Sequence, residues 1–409
     1  MGDYYALILC VMAETGTESL LIRDARLVLP GGIAEGLSLL VEGGYIKRLL
    51  DAARSQVVRA NRILKLDNLM LLPGFIDVHI HGIAGIDAMT ATSDDLHLAG
   101  RVLARHGVTA WLPTLVPAPE EEYRHAALAI ERLIAEQHER PAAARVLGLH
   151  YEGPFVNSEQ CGALRPRFFR TFAGAADVDA LPTLNEPGRV RMMTVAPEIA
   201  GGIELVRELN ARGWVVSIGH TRATIETLDR AREAGARHIT HFFNAMSPLH
   251  HRAPGPVGWG LMSDDVTCDV IADGVHCDPL MLRLLLRCKT AERVSLISDA
   301  VAPACLGDGE YRLWGETITV TGGRTRAASG HIAGSVITVS DAVRLMLSLG
   351  IEMKDVAQMA ARNPARLLGV DHEYGAIEEG KRADLVALDE AGSVRLTLIG
   401  GRVAFDAAP

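Results

Sequence analysis

FIDVHIHG (residues 75–82) is a short apolar run that ends in a pair of histidines, and it opens a series of eight similar runs along the chain. Runs this apolar are typical of strands buried on both faces, as in a parallel sheet. Amphipathic stretches that end near a glycine separate the runs and predict helices. Strands that alternate with helices form βα units, and eight such units predict an α/β fold of the closed (β/α)8 barrel type. The seven later runs are VTAWLPT (108–114), VLGLHYEG (146–153), RMMTVAPE (191–198), WVVSIGH (214–220), HITHFFN (238–244), CDVIADG (268–274) and RVSLISDA (293–300).

The stretch SDDLHLAGRVLARHG (93–107) is typical of the predicted helices. Ser93 and Asp94 are its candidate N-cap residues, because their side-chain oxygens can accept hydrogen bonds from the free backbone N–H groups of a first turn. Gly107 is its candidate terminator, because glycine adopts positive φ at no steric cost. Gly213 and Gly235 end two further stretches in the same way.

Alternating strands flank the barrel at both ends of the chain. SLLIRDARLVLP and LSLLVEGGYIKRLL lie within residues 19–66, and KRADLVAL and VRLTLIGGRVAF lie within 376–405. Their alternation and Gly-rich turns are typical of antiparallel strands. Since neither end is long enough for a core of its own, the sequence predicts one small β-sandwich domain from residues 18–74 and 376–409, with the barrel inserted as residues 75–375.

Composition restricts the kinds of partner. The formal net charge of −9 argues against nucleic acid, whose phosphate backbone needs a basic surface. The six cysteines form no C-x-x-C pair, which favours a reducing cytoplasm over a disulfide framework. The apolar segment YALILCVMA (5–13) is too short to span a membrane and lacks the basic residues that precede a secretory signal, so neither a membrane nor an export role is expected.

Side chains of the metal-ligand type recur at the carboxyl ends of the predicted strands, where barrel enzymes carry their active sites. His79 and His81 lie two apart on one strand, so both face the same space. Imidazole nitrogen and carboxylate oxygen suit Zn²⁺ and related divalent ions, and a catalytic site keeps one position open for water. The alternative, that buried histidines form hydrogen bonds within the core, explains one such residue more easily than the whole set. The set is His79, His81, Glu152, His220, His241, Asn244, Asp273, His276 and Asp299.

Two further residues suggest chemistry beyond metal binding. Asp299 ends the last strand, and a carboxylate beside a cation ligates it or accepts a proton from its bound water. A cap on the next helix is the alternative for this residue. Arg252, in HHRAPGPVG (250–258), could hold a phosphate or a carboxylate with its guanidinium fork, or be an ordinary surface residue. The sequence contains neither a Walker A motif nor G-x-G-x-x-G, which disfavours nucleotide chemistry.

With these residues in place, the chain resembles the N-acetylglucosamine-6-phosphate deacetylase family of the amidohydrolase superfamily, from about residue 20 to its end. PGFIDVHIHG (73–82) and GKRADLVALD (380–389) are similar to motifs found across the superfamily and are weakly specific. The narrower motifs are LHYEGPFVN (149–157), HFFNAM (241–246) with HHR (250–252), and ADGVH (272–276).

The resemblance implies a metal site and a catalytic residue. Glu152, His220 and His241 would hold the tighter ion, and His79 with His81 would hold a second one. Asp299 matches the catalytic acid/base. One or two divalent ions are therefore expected, with Zn²⁺ as the first choice and Fe, Mn or Co as alternatives.

The resemblance also implies a small phosphorylated amino sugar as the substrate, and a homodimer as the assembly. Twelve positions match residues that contact the sugar phosphate in the family: Ala163, Asn244, Ala245, Arg252, Asp273, Gly274, Val275, His276, Ile332, Ala333, Gly334 and Ser335.

One position departs from the family pattern. Many members carry a histidine that polarises the acetamide carbonyl after EGPF, whereas this chain has Gly162-Ala163-Leu164. Leucine cannot donate a hydrogen bond. Either the second ion held by His79 and His81 polarises the carbonyl instead, which we favour, or the acyl group or the sugar differs.

The resemblance thus implies metal-dependent hydrolysis of the acetamide of N-acetyl-D-glucosamine 6-phosphate. A related amidohydrolase acting on N-acetylgalactosamine 6-phosphate, or on another N-acyl or cyclic amide, is the first alternative. A non-catalytic protein that keeps a barrel is the second, and it predicts missing ligands or a missing base, which the sequence does not show.

Overall fold

The computed structural model describes residues 19–184, 189–327 and 330–407, so the apolar segment 5–13 lies outside the described residues. Eight parallel strands pair in the order of the chain, each with the next. The predicted (β/α)8 fold is confirmed. The strands are Phe75–Ile80, Val108–Leu115, Gly148–Glu152, Val190–Val195, Val215–Ile218, His238–Ile239, Thr267–Ile271 and Val294–Ile297.

The last strand returns to the first at the carboxyl end of the barrel. The backbone N–H of Asp299 donates to His79 O at 2.9 Å, and the N–H of His81 donates to Ala300 O at 2.8 Å. One of these bonds joins Asp299 directly to a candidate ligand. The seam therefore fixes the backbone of the candidate site.

Helices cover the outside of the barrel, and each follows one of its strands. Most of their buried residues are apolar, as the amphipathic stretches predict, and the buried polar exceptions include Ser93, Lys289 and Ser340. The helices are Ser93–Arg105, Glu120–Glu136, Ala175–Asp179, Gly202–Ala211, Ile225–Ala234, Gly255–Met262, Pro279–Lys289 and Val339–Ser348, followed by Met353–Ala357, a π-helical turn Gln358–Arg362 and Asn363–Leu367.

The first barrel helix begins one residue earlier than predicted. Its N-cap is Thr92 rather than Ser93 or Asp94. The Thr92 hydroxyl accepts from the Asp95 N–H at 3.2 Å, and the Asp95 carboxylate accepts from the Thr92 N–H at 2.9 Å. This reciprocal capping box satisfies two free donors, whereas a cap at Ser93 would leave the Asp95 carboxylate out of register with its partner.

The two ends of the chain combine in sheets beside the barrel. In a six-stranded sheet, Leu385–Leu388 pairs antiparallel with Met70–Pro73, and the order is Arg402–Asp406, Val394–Ile399, Leu385–Leu388, Met70–Pro73, Arg26–Leu29 and Gly32–Ala34. A four-stranded sheet has the order Tyr45–Leu50, Ser38–Glu42, Ser19–Arg23 and Arg62–Lys65, and a short helix, Ala52–Val57, follows Tyr45–Leu50. The predicted β-domain built from both termini is thus present, while its boundaries (18–74 and 376–409, around 75–375) stay a prediction.

A small three-stranded sheet lies between the last barrel strand and the last barrel helix, and the sequence analysis did not predict it. Its strands are Gly309–Leu313, Glu316–Thr321 and Arg324–Ala327. The remaining short elements are strands Gly82–Ile83, Ile86–Asp87 and Arg145–Val146 and 3-10 turns Ser158–Gln160, Pro166–Phe168 and Ala291–Arg293. In the described part of the chain, no helix has the length and apolar character needed to cross a membrane.

Candidate active site

Six candidate ligands converge at the carboxyl end of the barrel. Each is at least nine-tenths buried: His79, His81, Glu152, His220, His241 and Asp299. They form two groups of three, in which the ligand atoms all lie within 4.8 Å of one another. The structure therefore brings together side chains that the sequence spreads over five strand ends.

The first group contains Glu152, His220 and His241. Glu152 Oε1 lies 2.9 Å from His220 Nε2 and 3.0 Å from His241 Nε2, and the two imidazole nitrogens are 3.1 Å apart. When a tetrahedral metal ion binds its ligands at about 2.0–2.2 Å, any two of the ligand atoms lie about 3.3–3.6 Å apart. The triangle is within a few tenths of an ångström of that spacing.

The second group contains His79, His81 and Asp299. The Nε2 atoms of the two histidines are 3.2 Å apart, and Asp299 Oδ1 lies 3.5 Å from His79 Nε2 and 3.2 Å from His81 Nε2. These edges match the same tetrahedral spacing. The second group could hold an ion as well as the first.

Hydrogen bonds to the Nδ1 atoms of two of the histidine rings show why a cation fits among the ligand atoms. His220 Nδ1 lies 2.7 Å from the carbonyl oxygen of Gln160, and His81 Nδ1 lies 3.1 Å from that of Thr114. A carbonyl only accepts, so each Nδ1 carries a proton, and in the neutral ring Nε2 then presents a lone pair. Lone pairs and carboxylate oxygens at about 3 Å repel one another unless a cation or a proton lies between them. The donor set therefore fits a divalent metal.

The carboxylates and imidazoles perturb one another strongly. Burial alone would lower the pKa of His81, but hydrogen bonds and charge from Asp299 and Glu152 outweigh it and raise this pKa to about 10. His241 follows the same rule, with Glu152 raising its pKa to about 9 against its burial. Burial disfavours the charged form of Glu152, yet the surrounding histidines hold its pKa well below the usual range. Perturbation of this kind is typical of functional sites.

Three of the six ligands occupy unusual backbone conformations. His220, His241 and Asp299 have φ of +47°, +33° and +48°. Positive φ at a residue other than glycine costs about 1–3 kcal/mol and persists only where the surrounding structure enforces it. The sixth strand ends at Ile239 and is shorter than the predicted span 238–244, so His241 and Asn244 lie after the strand rather than on it.

A cavity of about 390 Å³ opens above the two groups. His81, Glu152, His220, His241 and Asp299 line its floor, and six of the predicted substrate residues line its walls: Ala163, Asn244, Ala245, His276, Ile332 and Gly334. Its size suits a small ligand such as one sugar ring with its substituents.

His276 is held by Asp273, which does not line the cavity itself. Asp273 Oδ2 lies 2.7 Å from His276 Nδ1, and Asp273 Oδ1 accepts from the backbone N–H groups of Val275 and His276. Burial raises the pKa of Asp273, but these bonds from His276 outweigh it and lower the pKa. Asp273, Gly274 and Val275 thus form the turn that aims His276 at the cavity.

Gly334 and Ser335 support Asp299. The Ser335 N–H donates to Asp299 O at 2.7 Å, and Ser335 is almost wholly buried. A Cβ on Gly334 would lie 2.9 Å from Asp299 O, and the glycine has φ of +58°. Ala333 is buried and faces a neighbouring cavity instead.

Arg252 lies outside the cavity in this single chain. Its side chain is exposed, and its Nη1 lies 2.9 Å from His251 Nε2. Leu164 does line the cavity. The structure therefore places the departure from the family pattern in the wall of the cavity above the ligand groups.

Three cavity residues were missed by the sequence analysis: Trp314, Gly330 and His331. Trp314 lies at the turn after Gly309–Leu313, and its ring meets that of His81 edge to face at 5.2 Å between centroids. His331 lines the cavity next to Ile332. The flanking alternation in YRLWGETITV (311–320) was a signal for a hairpin, but it does not indicate where the turn folds.

Comparisons with known proteins place the site in context. The sequence model of the amidohydrolase family matches residues 70–404. The chain is 37% identical to an Escherichia coli O157:H7 protein named N-acetylgalactosamine-6-phosphate deacetylase, over 94% of this chain and 98% of that protein. It is also 37% identical to human N-acetylglucosamine-6-phosphate deacetylase, over 83% of this chain and 84% of the human one.

Solved structures give the same picture. The crystal structure of N-acetylglucosamine-6-phosphate deacetylase from Thermotoga maritima is similar, with a TM-score of 0.84 and 32% identity over 95% of this chain and all (100%) of that one. A mutant of the Mycobacterium smegmatis enzyme in complex with N-acetyl-D-glucosamine-6-phosphate has a TM-score of 0.84 and 30% identity, over 95% of this chain and 99% of that one.

Proposed function

The chain belongs to the amidohydrolase family, and from that premise we propose that it hydrolyses the acetamide of N-acetyl-D-glucosamine 6-phosphate to D-glucosamine 6-phosphate and acetate. It is an enzyme that hydrolyses a linear amide. The observation that carries the proposal is the pair of ligand groups that share one cavity with His276 and Asn244. Relatives named for this reaction match over most of the chain.

Glu152, His220 and His241 would hold one divalent ion, and His79 and His81, with Asp299 beside them, would hold a second. A bound divalent ion polarises a carbonyl oxygen and lowers the pKa of water toward about 7. We propose Zn²⁺ as the physiological ion because the donor set is nitrogen and oxygen with tetrahedral spacing. Iron, manganese and cobalt remain alternatives.

Asp299 is the proposed acid/base. Burial disfavours its ionised form, but His79 and His81 outweigh this and lower its pKa, so Asp299 is a carboxylate at neutral pH. It accepts a proton from the attacking water as the new C–O bond forms. It then returns that proton to the nitrogen as the C–N bond breaks, which releases the amine and acetate.

Other residues position the substrate. His276 lines the cavity, and the Asn244 side-chain amide, which donates to His241 O at 3.3 Å, lies near its floor. We propose that these groups bind the sugar phosphate, and that Arg252 contributes to its binding, from its own subunit or from a partner in a homodimer. Binding energy from the phosphate then holds the acetamide in place for attack.

The cellular setting is also a proposal. The cysteines that the structure describes (Cys161, Cys268, Cys277, Cys288 and Cys305) carry free thiols, which supports a reducing cytoplasm.

A substrate panel tests the proposed reaction. We expect amine release from N-acetyl-D-glucosamine 6-phosphate with kcat/KM at least about 1,000-fold above that for N-acetyl-D-glucosamine, because the phosphate supplies the remote binding energy. N-acetyl-D-galactosamine 6-phosphate is the second candidate substrate, favoured by the similarity to the Escherichia coli protein named for it. If the galactosamine compound is hydrolysed at least about tenfold faster than the glucosamine compound, the second candidate replaces the first.

A further inference from the structure

A second cavity, of about 290 Å³, lies between the terminal β-domain and the barrel. The β-domain contributes the turns at Gly43–Gly44 and Gly400–Gly401. The barrel contributes the segment that follows the helix Glu120–Glu136 and the short strand Arg145–Val146. The cavity is therefore built from both parts of the fold.

The lining of this cavity is strongly basic. It includes five arginines and one histidine, and none of the described residues that line it is Asp or Glu. The chain as a whole has a net charge of −9, so this concentration of positive charge runs against the overall composition. The six basic residues are Arg62, His138, Arg140, Arg145, Arg382 and Arg402.

Two of the arginines are paired with carboxylates that do not line the cavity. Arg140 bonds to Asp94 at 2.7 Å and to Glu136 at 2.5 Å. Arg382 lies 3.4 Å from Asp384, and its guanidinium lies 5.6 Å from each of the rings of Tyr45 and Tyr374. These contacts hold the guanidinium groups of Arg140 and Arg382 in place. The charges of the other three arginines remain to be explained.

In the described part of the chain, Arg62, Arg145 and Arg402 have no carboxylate oxygen within 4.0 Å, although the charge of Arg145 acts on Asp384 at longer range. Arg145 Nη2 lies 3.4 Å from both ring nitrogens of His138, and the buried Nε of Arg145 has no hydrogen-bond partner there. Arg62 and Arg402 are exposed at the rim, Arg62 on an edge strand of the four-stranded sheet and Arg402 on an edge strand of the six-stranded sheet. Three forked donors around one small cavity match an anion with several oxygens.

We propose that this cavity binds a small phosphate-bearing molecule. A phosphate group presents three terminal oxygens, so it can accept from Arg62, Arg145 and Arg402 together, whereas a carboxylate presents two. The cavity is large enough for a phosphate and a small attached group. The bound anion would join the β-domain to the barrel through residues of both.

This site is separate from the candidate active site. Arg145 precedes the third barrel strand, Gly148–Glu152, and Glu152 ends that strand at the opposite end of the barrel. Seven extended residues span about 23 Å. A molecule bound at the arginine cavity therefore cannot contact the cavity above the metal ligands.

Calorimetric titration of inorganic phosphate into the metal-loaded enzyme tests the proposal. The test variant is Arg62→Ala/Arg402→Ala, which removes two exposed side chains from the rim. The matched control is Arg207→Ala/Arg230→Ala, which removes the same charge from exposed positions on barrel helices. Succinate, a dicarboxylate, is titrated as a second probe.

We expect the test variant to lose one class of phosphate sites, with affinity there at least tenfold weaker, while the control keeps it. Deacetylation without added phosphate should stay within twofold of wild type in both variants. Phosphate binding that is equal in wild type and the test variant would overturn the proposal, as would equal weakening in the control. Succinate binding as tight as that of phosphate would overturn the assignment to phosphate.

Discussion

Glu152 and His81 come from two different barrel strands, and Glu152 Oε2 lies 3.3 Å from His81 Nε2. The other oxygen of Glu152 belongs to the group with His220 and His241. One carboxylate thus touches both ligand groups. The two groups therefore form one continuous centre, and a substitution in one group should affect the other.

Asp299→Asn removes the proposed proton acceptor and keeps an oxygen beside His79 and His81. We expect kcat to fall by at least about 1,000-fold, because general base catalysis and the charge are lost together. Metal content at the group of Glu152, His220 and His241 should stay near the wild-type level, as measured by elemental analysis. Full activity in this variant would refute the assigned role.

Leu164 tests how the acetamide carbonyl is polarised. His81→Gln should lower kcat by about 100- to 1,000-fold, the usual cost of losing one stabilising group at a developing oxyanion. Adding Leu164→His to this variant should raise kcat about tenfold, since a histidine there supplies a hydrogen-bond donor in the same cavity. Leu164→His in the wild-type background is the control for a purely structural effect. No recovery in the double variant would indicate that the acyl group or the sugar differs.

Asp273 should matter for substrate binding and little for chemistry. In Asp273→Ala, His276 loses its 2.7 Å partner and its orientation, so we expect KM to rise about tenfold with kcat within about threefold. Asp278→Ala is the matched control, because Asp278 caps the helix Pro279–Lys289 without touching His276. An unchanged KM in Asp273→Ala would exclude His276 from phosphate binding.

Gly148 sets the spacing of the third and fourth barrel strands. A Cβ at Gly148 would lie 1.9 Å from Val190 O, in the backbone of the paired strand. Gly148→Ala should therefore destabilise the protein by about 3 kcal/mol, through overpacking against backbone that cannot move aside. Gly31→Ala, where a Cβ meets nothing within 4 Å, is the control in the same thermal unfolding assay. Equal melting temperatures for the two variants would contradict this view of the barrel.

The barrel could be predicted because its signals are local. Each strand is a compact apolar run, and the polar residues at the strand ends meet at one rim once the strands are parallel. His79 with His81 is the simplest case, since alternation along one strand already places both rings together. The convergence of His220 and His241 with Glu152 followed from the same rule.

Other features depend on tertiary contacts that no local pattern contains. His241 and His220 reach their positions through positive φ. The sequence gives no signal for positive φ at residues other than glycine. Trp314 comes to the site on a hairpin whose direction is set by packing. The arginine cavity joins Arg62, Arg145 and Arg402, and only the docking of the β-domain on the barrel brings them together.

The most direct test of the account is a crystal of the purified enzyme measured at the absorption edge of its metal. We predict an anomalous peak about 2.0–2.2 Å from Glu152 Oε1 and from the Nε2 atoms of His220 and His241, with the second group of His79, His81 and Asp299 as the place for any second peak. A metal-bearing, active crystal with no peak among Glu152, His220 and His241 would contradict the account.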